Sequence, residues 1–305
     1  MSVLNEQAVP VVDDALPTPG RGEKKRRPRH VKGTRPGWIV YACLAAVLVG
    51  SLFPFYWSLL IGSGDSYTIR DPHMSWIPGG NFFANAAKVM NDPAVNFWMA
   101  LWNSIISSGL IAISVVFFST LAGWAFAKLT FKGSSWLLVF VIATMAVPTQ
   151  LGVVPLYILF SDMGWTGQLG AIIVPALVSA FGVFWMTQYL RQAVPDELIE
   201  AARVDGASSF RTFLTVGLPA ARPAAAMLAL FTFVSAWNNF FWPFIVLDRQ
   251  NPTLPVALSL LQSNYFIDYS IVLAGVLLAT IPLLILFVFA GKQLVSGIMQ
   301  GAVKG

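Results

Sequence analysis

The amino-acid sequence predicts an all-α membrane protein with six transmembrane helices, and three observations lead to this fold class. Of the 305 residues, 56% are hydrophobic and only 11% are charged, whereas soluble domains carry about 25% charged residues. Six segments reach the roughly 20 apolar residues that a helix needs to cross a bilayer. Backbone polar groups in lipid must be hydrogen-bonded within the protein, which only helices and closed β-barrels achieve. No series of short alternating segments indicates a membrane barrel, so the spans are predicted to be helices.

Each predicted span is a long apolar run bounded by polar or charged residues. The six are Trp38–Ile61, Ala100–Phe126, Trp136–Phe160, Leu169–Leu190, Ala224–Leu247 and Ile271–Ala290. Prolines interrupt the third span at Pro148 and Pro155, the fourth at Pro175 and the sixth at Pro282. Such kinks serve as hinges in some membrane helices, yet prolines are also common there without that role, and the sequence leaves both interpretations open.

The distribution of positive charge predicts the orientation of the chain. With the N-terminus in the cytoplasm, sixteen of the 19 Lys and Arg residues lie inside, and only Arg70, Lys88 and Arg249 lie outside. The positive-inside rule therefore places both termini in the cytoplasm. The net charge of +5 then reflects membrane orientation and does not indicate a nucleic-acid partner.

The domain division follows from composition. Residues 1–36 are polar, proline-rich and basic, which predicts a disordered cytoplasmic tail without a cleavable signal peptide. Residues 37–305 form one six-helix membrane domain, in which the loop 191–223 is the longest on the cytoplasmic side.

Several kinds of chemistry are disfavoured. The single cysteine, Cys43, permits no internal disulfide, and His30 and His73 lie too far apart in the sequence to suggest a metal or catalytic site. No Gly-x-x-x-x-Gly-Lys-Ser/Thr motif occurs, so we expect no catalytic residues, no resident cofactor and no ATP site in this chain. No Asp or Glu lies within the six spans, which disfavours an ion-coupled secondary transporter that would need intramembrane acids.

The cytoplasmic loop 191–223 predicts two short helices joined by a glycine bend. Pro195 suits a first helical turn, and Asp196 and Glu197 suit the positive end of the helix. Leu198, Ala201 and Ala202 then share one small face.

Gly206 permits the bend, and Ala207–Thr215 forms the second helix, which Leu218-Pro219 and Pro223 would end. We call residues 195–219 the coupling segment. The alternative is an interfacial amphipathic helix that lies on the lipid surface. The first half of the coupling segment disfavours it, because its side chains are acidic and small, whereas those of interfacial helices are basic and bulky.

The coupling segment resembles the cytoplasmic signature of ABC importer permeases: Glu-Ala-Ala, three residues, Gly, nine residues, Ile, one residue, Leu-Pro. The chain has Glu200-Ala201-Ala202, Gly206, Val216 and Leu218-Pro219 at these spacings, with Val in place of Ile. The resemblance implies that the segment sits in a cleft of the ATPase subunit. The residues implied in this contact are Glu200, Ala201, Ala202, Asp205, Gly206, Leu218 and Pro219.

The membrane part, residues 37–305, is similar to the second permease subunit of maltose-transporter-like carbohydrate importers. The similarity is carried by the segments 237–243, 251–255 and 301–305, although Asn239 stands where the family usually has Asp. It implies a type I ABC importer membrane domain that pairs with a homologous permease, two copies of a cytoplasmic ATPase subunit and an extracytoplasmic sugar-binding protein. The location implied is the plasma membrane of a prokaryote, and the cargo a di- or oligosaccharide, with a lean to a β-linked disaccharide such as cellobiose.

Four polar or aromatic residues within the predicted fifth span are candidates for the translocation path or its gate: Trp237, Asn238, Asn239 and Trp242. Polar side chains at membrane depth are costly and usually face the bundle interior or water. Carboxamides and indoles offer the hydrogen bonds and flat apolar faces that suit sugars. Helix–helix packing is the alternative for the same residues.

The outer loop 248–270 has a polar and aromatic centre. By resemblance, Gln262, Asn264 and Tyr265 are expected to contact the external binding protein. Other interpretations of the whole chain are an ABC importer permease for a non-sugar solute, a secondary transporter, or a membrane anchor without transport.

Overall fold

A computed structural model describes residues 37–71, 75–263 and 266–302 of the chain. These residues contain helices and no strands. The α-helices are α1 Trp38–Gly62, α2 Phe82–Asn91, α3 Phe97–Lys128, α4 Ser134–Thr144, α5 Val153–Asp162, α6 Gly170–Ile173, α7 Ala180–Ala193, α8 Asp196–Val204, α9 Ser209–Thr212, α10 Leu218–Trp237, α11 Phe241–Val246, α12 Leu254–Leu260 and α13 Tyr269–Ala302.

The predicted fold class is confirmed. Among the described residues, five helices are long and apolar enough to cross a membrane, and a sixth crossing results when the bent pair α4–α5 counts as one span. The predicted tail, residues 1–36, lies outside the described residues. Residues 37–51, including the first part of α1, form one unit of the chain, and a second compact unit begins at Leu52.

Helix α3 lies at the centre of the second unit and packs along both α7 and α10. Val115 of α3, Met186 of α7 and Leu228 of α10 belong to one cluster of side chains that are almost completely buried. A second cluster joins α3 to α2, α12 and α13. Apolar packing therefore fixes α3, α7 and α10 to one another along their length.

The third span is broken and not continuous. Its halves α4 and α5 meet at an angle of 84°, and a 3₁₀ turn, Thr149–Gly152, separates them. Pro148 precedes this turn with extended backbone angles. A proline donates no backbone hydrogen bond and disfavours helix in the residue before it, so the span breaks at this position. Pro155, by contrast, lies in the first turn of α5, where proline does no damage.

The fourth span is also interrupted, as Pro175 predicts. A 3₁₀ turn, Val174–Ala176, follows α6, and α7 begins only at Ala180. The hydroxyl of Ser114 donates a hydrogen bond to the Leu177 carbonyl at 3.0 Å, so a carbonyl freed by the break is satisfied. Pro282, in contrast, lies within the continuous helix α13.

The predicted bounds of the fifth span, Ala224–Leu247, are wrong at both ends. The helical run extends from Ser209 to Trp237 without a break, so Pro219 and Pro223 do not end a helix. A π-helical turn, Phe213–Gly217, comes directly before the first turn of α10, which contains Pro219. The missing N–H of this proline therefore falls where the regular bonding pattern is already interrupted.

Candidate functional site

The coupling segment contains the predicted short first helix, α8, which begins one residue after Pro195. Pro195 is the residue before the helix, in extended conformation, and Asp196 and Glu197 occupy the first turn. The following helix is not separate, because α9 and the π-helical turn lead directly into α10. The predicted loop 191–223 is therefore shorter than expected, since its first residues belong to α7 and its last to α10.

Gly206 makes the bend after α8 in the manner that the sequence predicts. Its φ of +74° is left-handed, and an added Cβ would meet no atom within 4 Å. The Gly206 N–H donates to the Arg203 carbonyl at 3.0 Å, and the Ala207 N–H donates to the Ala202 carbonyl at 2.9 Å. These two bonds form a Schellman motif, which ends a helix with a glycine. Backbone conformation, and not lack of space, is what requires glycine here.

Two side chains anchor the coupling segment in the core. Ile199 of α8 and Phe213 of the π-helical turn belong to the cluster that joins α3, α7 and α10. The rings of Phe213 and Trp124 lie 5.8 Å apart. Gly217 approaches the same indole so closely that an added Cβ would lie 2.6 Å from Trp124 Cε3. The segment is thus packed rigidly on the helix bundle and does not hang from it as a free loop.

The opposite face of the coupling segment is exposed. Glu200, Ala201, Asp205 and Gly206 are exposed, and Ala202 is half-buried. Glu200 has no ion-pair or side-chain hydrogen-bond partner within the described part of the chain.

Large apolar side chains lie on the same exposed surface. Val204 is 88% exposed and Phe210 is 64% exposed. An unpaired acid beside small and apolar side chains has the composition of a surface that another protein covers. Leu218 and Pro219 are also exposed, but they belong to the first turn of α10.

Polar contacts join the end of α3 to the start of α8 and to the end of α7. Lys128 Nζ, at the end of α3, lies 2.7 Å from Asp196 Oδ1, at the start of α8. Arg191, near the end of α7, donates to the Phe126 carbonyl at 3.4 Å. The end of α3, the end of α7 and the start of α8 therefore meet at one end of the bundle, beside the coupling segment.

A cavity of about 1210 Å³ lies within the membrane part of the second unit. Three interruptions of helix reach its wall: the turn at Thr149–Gly152, the stretch 177–179 before α7, and the stretch 238–240 after α10. Six lining residues carry polar side chains without a hydrogen-bond partner among the described residues: Thr149, Gln150, Thr232, Ser235, Asn239 and Thr253. Phe181, Phe231, Phe241 and Trp242 contribute aromatic surface.

The structure divides the four predicted path residues into two pairs. Asn239 and Trp242 line the cavity. Trp237 is buried with α2, α3 and α12, and the Asn238 amide donates to the Val234 carbonyl of its own helix at 2.9 Å; neither of them belongs to the cavity wall. Packing, the alternative for all four, is therefore the favoured interpretation for Trp237, whereas Asn238 is exposed and bonds only to its own helix.

Of the four residues, only Trp237 lies inside the fifth span, because the helix ends at that residue. The Trp242 indole N–H donates to the Ala171 carbonyl at 2.9 Å. Only the ring of Trp242, and not its N–H, is thus available to a molecule in the cavity.

Sequence reasoning did not assign Gln150, Thr232, Ser235 or Thr253 to the path. A signal existed for Gln150, a polar residue between two prolines within an apolar span. The fold alone reveals the others, because single hydroxyl groups in membrane helices commonly bond to their own backbone.

The opposite end of the bundle is held together by Asp268. Its carboxylate accepts hydrogen bonds from the Ser66 hydroxyl at 2.5 Å and from the Ser270 backbone and hydroxyl at 3.0 and 2.6 Å. Burial raises the pKa of Asp268, but the hydrogen bonds from Ser270, Ser66 and the Ile271 backbone outweigh it, so the pKa lies below its ordinary value.

The predicted contact with a binding protein falls partly outside the described residues. Gln262 is exposed in the turn after α12. Asn264 and Tyr265 lie outside the described residues.

A multi-span helical bundle with a coupling segment that is packed on its inner face and exposed on its outer face is typical of a membrane subunit that works with other proteins. Comparison with known families supports this class. The model of the family "Binding-protein-dependent transport system inner membrane component" matches residues 116–298. The chain belongs to this family, whose members are transport permease subunits of ABC transporter complexes in the membrane.

Characterised relatives are similar over most of their length. The arabinooligosaccharides transport system permease protein AraQ of Bacillus subtilis is 32% identical over 261 residues, which cover 85% of this chain and 89% of that protein. The trehalose/maltose transport system permease protein MalG of Thermococcus litoralis is 31% identical over 271 residues, which cover 88% and 96%. The lactose transport system permease protein LacG of Rhizobium radiobacter is 30% identical over 270 residues, which cover 88% and 97%.

A solved structure shares the fold. It is the crystal structure of a bacterial ABC transporter involved in the import of the acidic polysaccharide alginate, and one of its chains matches with a TM-score of 0.70 at 22% identity. The match covers 84% of this chain and 95% of that chain. It supports the type I importer fold that the resemblance implies.

Proposed function

We propose that this chain is the permease subunit of an ATP-driven, binding-protein-dependent sugar importer that carries a di- or oligosaccharide. The family membership and the sugar names of the similar permeases support this function. The observation that carries the mechanism is the coupling segment, whose inner face is packed in the core while its outer face carries Glu200, an acid without a partner in the part of the chain that the structure describes.

In this mechanism, the exposed face of the coupling segment docks in a cleft of the ATPase subunit. Glu200 meets a cation or a hydrogen-bond donor there, and Ala201 and Ala202 permit a close approach of the two surfaces. Asp205, Gly206, Leu218 and Pro219 complete the contact. When the ATPase subunits close on ATP, Ile199 and Phe213 transmit the movement to α3, α7 and α10, because their side chains lie in the core that these helices share.

The complete importer has further subunits in this proposal. A homologous permease forms the other half of the pore, two copies of the ATPase subunit bind the ATP, and an extracytoplasmic binding protein delivers the sugar to a surface that includes Gln262, Asn264 and Tyr265. This chain itself holds no cofactor. Its positive charges orient both termini to the cytoplasm of a prokaryotic cell.

The proposed path is restricted to the cavity wall. Asn239 and Trp242 belong to the path or gate, whereas Trp237 and Asn238 lie outside the cavity wall, Trp237 packed in the core and Asn238 bonded to its own helix.

The test is reconstitution of the importer in proteoliposomes with its partner permease, ATPase subunit and binding protein. We expect sugar uptake that requires ATP inside the vesicle and that a protonophore does not abolish. Glu200→Ala should lower sugar-stimulated ATP hydrolysis about 10-fold or more, because a hydrogen bond to a charged group contributes about 1.5–3 kcal/mol.

The matched control is Glu197→Ala, which removes an exposed acid from the first turn of the same helix and should change hydrolysis less than twofold. Equal effects of the two substitutions would contradict a specific role of Glu200. Uptake driven by a proton gradient without ATP would contradict the proposed function.

A further inference from the structure

The wall of the cavity contains backbone that is not helical at membrane depth. The 3₁₀ turn at Thr149–Gly152, the stretch 177–179 and the stretch 238–240 each contribute lining residues. Non-helical backbone within a membrane is tolerated where it is buried in protein or lines an aqueous cavity, and discontinuous helices often form substrate sites in transporters. Three separate interruptions that reach one cavity therefore indicate a place where a polar solute resides.

The polar groups of the wall differ in whether they are already bonded. Ser107 Oγ donates to the Asn103 carbonyl, and Thr144 Oγ1 donates to the Val141 carbonyl. Gln150, Ser235 and Asn239, in contrast, are exposed and have no side-chain hydrogen bond among the described residues. A carboxamide offers both donors and acceptors, and a hydroxyl offers one donor and two lone pairs. This set of groups matches the hydroxyls of a sugar, each of which also donates and accepts.

The wall carries no charge. Among its 26 lining residues, none is Asp, Glu, Lys, Arg or His. Transfer of an ion into such surroundings is costly without a countercharge, so an anionic sugar would have no compensating cation on this side of the path. The exposed aromatic side chains Phe231 and Phe241 add flat apolar faces, on which the C–H faces of a neutral sugar ring can pack.

The size of the cavity is also sufficient. Its volume of about 1210 Å³ exceeds the roughly 300–1,000 Å³ of ordinary small-molecule pockets. We propose that this chain itself binds the sugar in transit, at a subsite for neutral oligosaccharides in which Gln150, Ser235 and Asn239 bind the sugar hydroxyls. The inference rests on the proposed function, and it adds a direct contact with the cargo and the charge class of that cargo.

The experiment uses the reconstituted importer and measures uptake of three neutral sugars, cellobiose, maltotriose and raffinose, and of an alginate trimer as the anionic probe. With the neutral sugar that is transported fastest, Gln150→Leu and Asn239→Leu should each lower uptake about 2- to 13-fold, the range for one lost neutral hydrogen bond. The double variant should lower uptake more than either single variant, while hydrolysis stimulated by the sugar-loaded binding protein stays within twofold.

Asn238→Leu is the matched control, because this neighbouring amide lies outside the cavity wall and bonds to its own helix. Its uptake should stay within twofold of the unmodified chain. Unchanged uptake in the Gln150 and Asn239 variants, or an equal loss in the Asn238 variant, would overturn the subsite. Uptake of the alginate trimer as fast as that of the neutral sugars would overturn its charge class.

A second experiment measures protection from chemical labelling and does not depend on a change in the transport rate. In a Cys43→Ser background, which removes the single native cysteine, Ser235→Cys is labelled with a membrane-impermeant maleimide in the presence and absence of the transported sugar. Sugar should slow labelling at position 235 at least fivefold and leave labelling of Asn238→Cys unchanged. Absence of protection at position 235, with ATP-dependent uptake intact, refutes the subsite but leaves the proposed function standing. Absence of ATP-dependent uptake of every neutral probe refutes the proposed function itself.

Discussion

The bend at Gly206 provides a sharp test of how the coupling segment works. Any other L-residue at its φ of +74° is strained, although the surrounding space is open. The cost of a left-handed conformation for such a residue is about 1–2 kcal/mol, which corresponds to roughly a 5- to 30-fold shift away from the native bend. The strain acts locally, because Gly206 lies at the exposed end of α8 and outside the buried clusters.

The substitutions are predicted to rank by their tolerance of the left-handed region. Gly206→Asn should retain most coupling, since asparagine enters this region more readily than other residues. Gly206→Ala should reduce sugar-stimulated ATP hydrolysis about fivefold or more, and Gly206→Val should reduce it further, because a β-branched side chain is a severe outlier there. Membrane insertion and assembly with the partner permease should remain intact in all three.

The assay compares hydrolysis and uptake in nanodiscs or proteoliposomes for equal amounts of assembled importer. Gly133 provides the matched control: it lies before α4 with a φ of +84°, and an added Cβ there meets no atom within 4 Å. Gly133→Ala therefore introduces the same kind of strain outside the coupling segment and should leave the ratio of transport to hydrolysis unchanged. Wild-type coupling in Gly206→Val, or equal uncoupling in Gly133→Ala, would refute the role of the bend.

Two further predictions concern stability. Thr253 Oγ1 is buried without a hydrogen-bond partner among the described residues, and an unsatisfied buried polar group costs about 1–3 kcal/mol. Thr253→Val should therefore leave the Tm of the purified subunit unchanged or raise it. A lower Tm would show that the oxygen has a partner. The folded-state pKa of Asp268 lies below its ordinary value of 3.8, so its stabilising contribution is present above that value and is lost as the pH falls through the folded pKa. The difference in Tm between the native chain and Asp268→Ala should therefore be constant near neutral pH and shrink below about pH 4, and a difference that does not depend on pH would contradict this account.

The fold class could be predicted from the sequence because lipid imposes a strong constraint on span length and hydropathy. The coupling bend could also be predicted, since Gly206 follows an alanine-rich turn and the required left-handed conformation strongly favours glycine. Both predictions depend on local chemistry. They needed no knowledge of which helices pack together.

The incorrect span bounds and the missed cavity residues concern features that tertiary packing determines. The apolar residues 240–247 extended the predicted fifth span beyond Trp237, but the helix breaks there beside the cavity, at Asn238 and Asn239. Pro219 and Pro223 were predicted to end a helix from their local preference, but a π-helical turn before α10 accommodates the first of them. The cavity wall could not be predicted for a similar reason, because Gln150 is distant in sequence from Ser235 and Asn239, and only tertiary packing brings the turn after α4 and the end of α10 to one cavity.

The correction of the fifth span connects the two functional regions. The helical run Ser209–Trp237 has 29 residues and is about 43 Å long at 1.5 Å per residue. Its first turn belongs to the exposed coupling segment, and its last turn is followed directly by Asn239 in the cavity wall. Because Phe213 and Leu228 of this run share one buried cluster with α3 and α7, a movement of its first turn cannot be absorbed by a loop. A rigid element that begins at the surface proposed to face the ATPase and ends at the proposed sugar subsite gives a direct route by which closure of the ATPase subunits would alter the cavity.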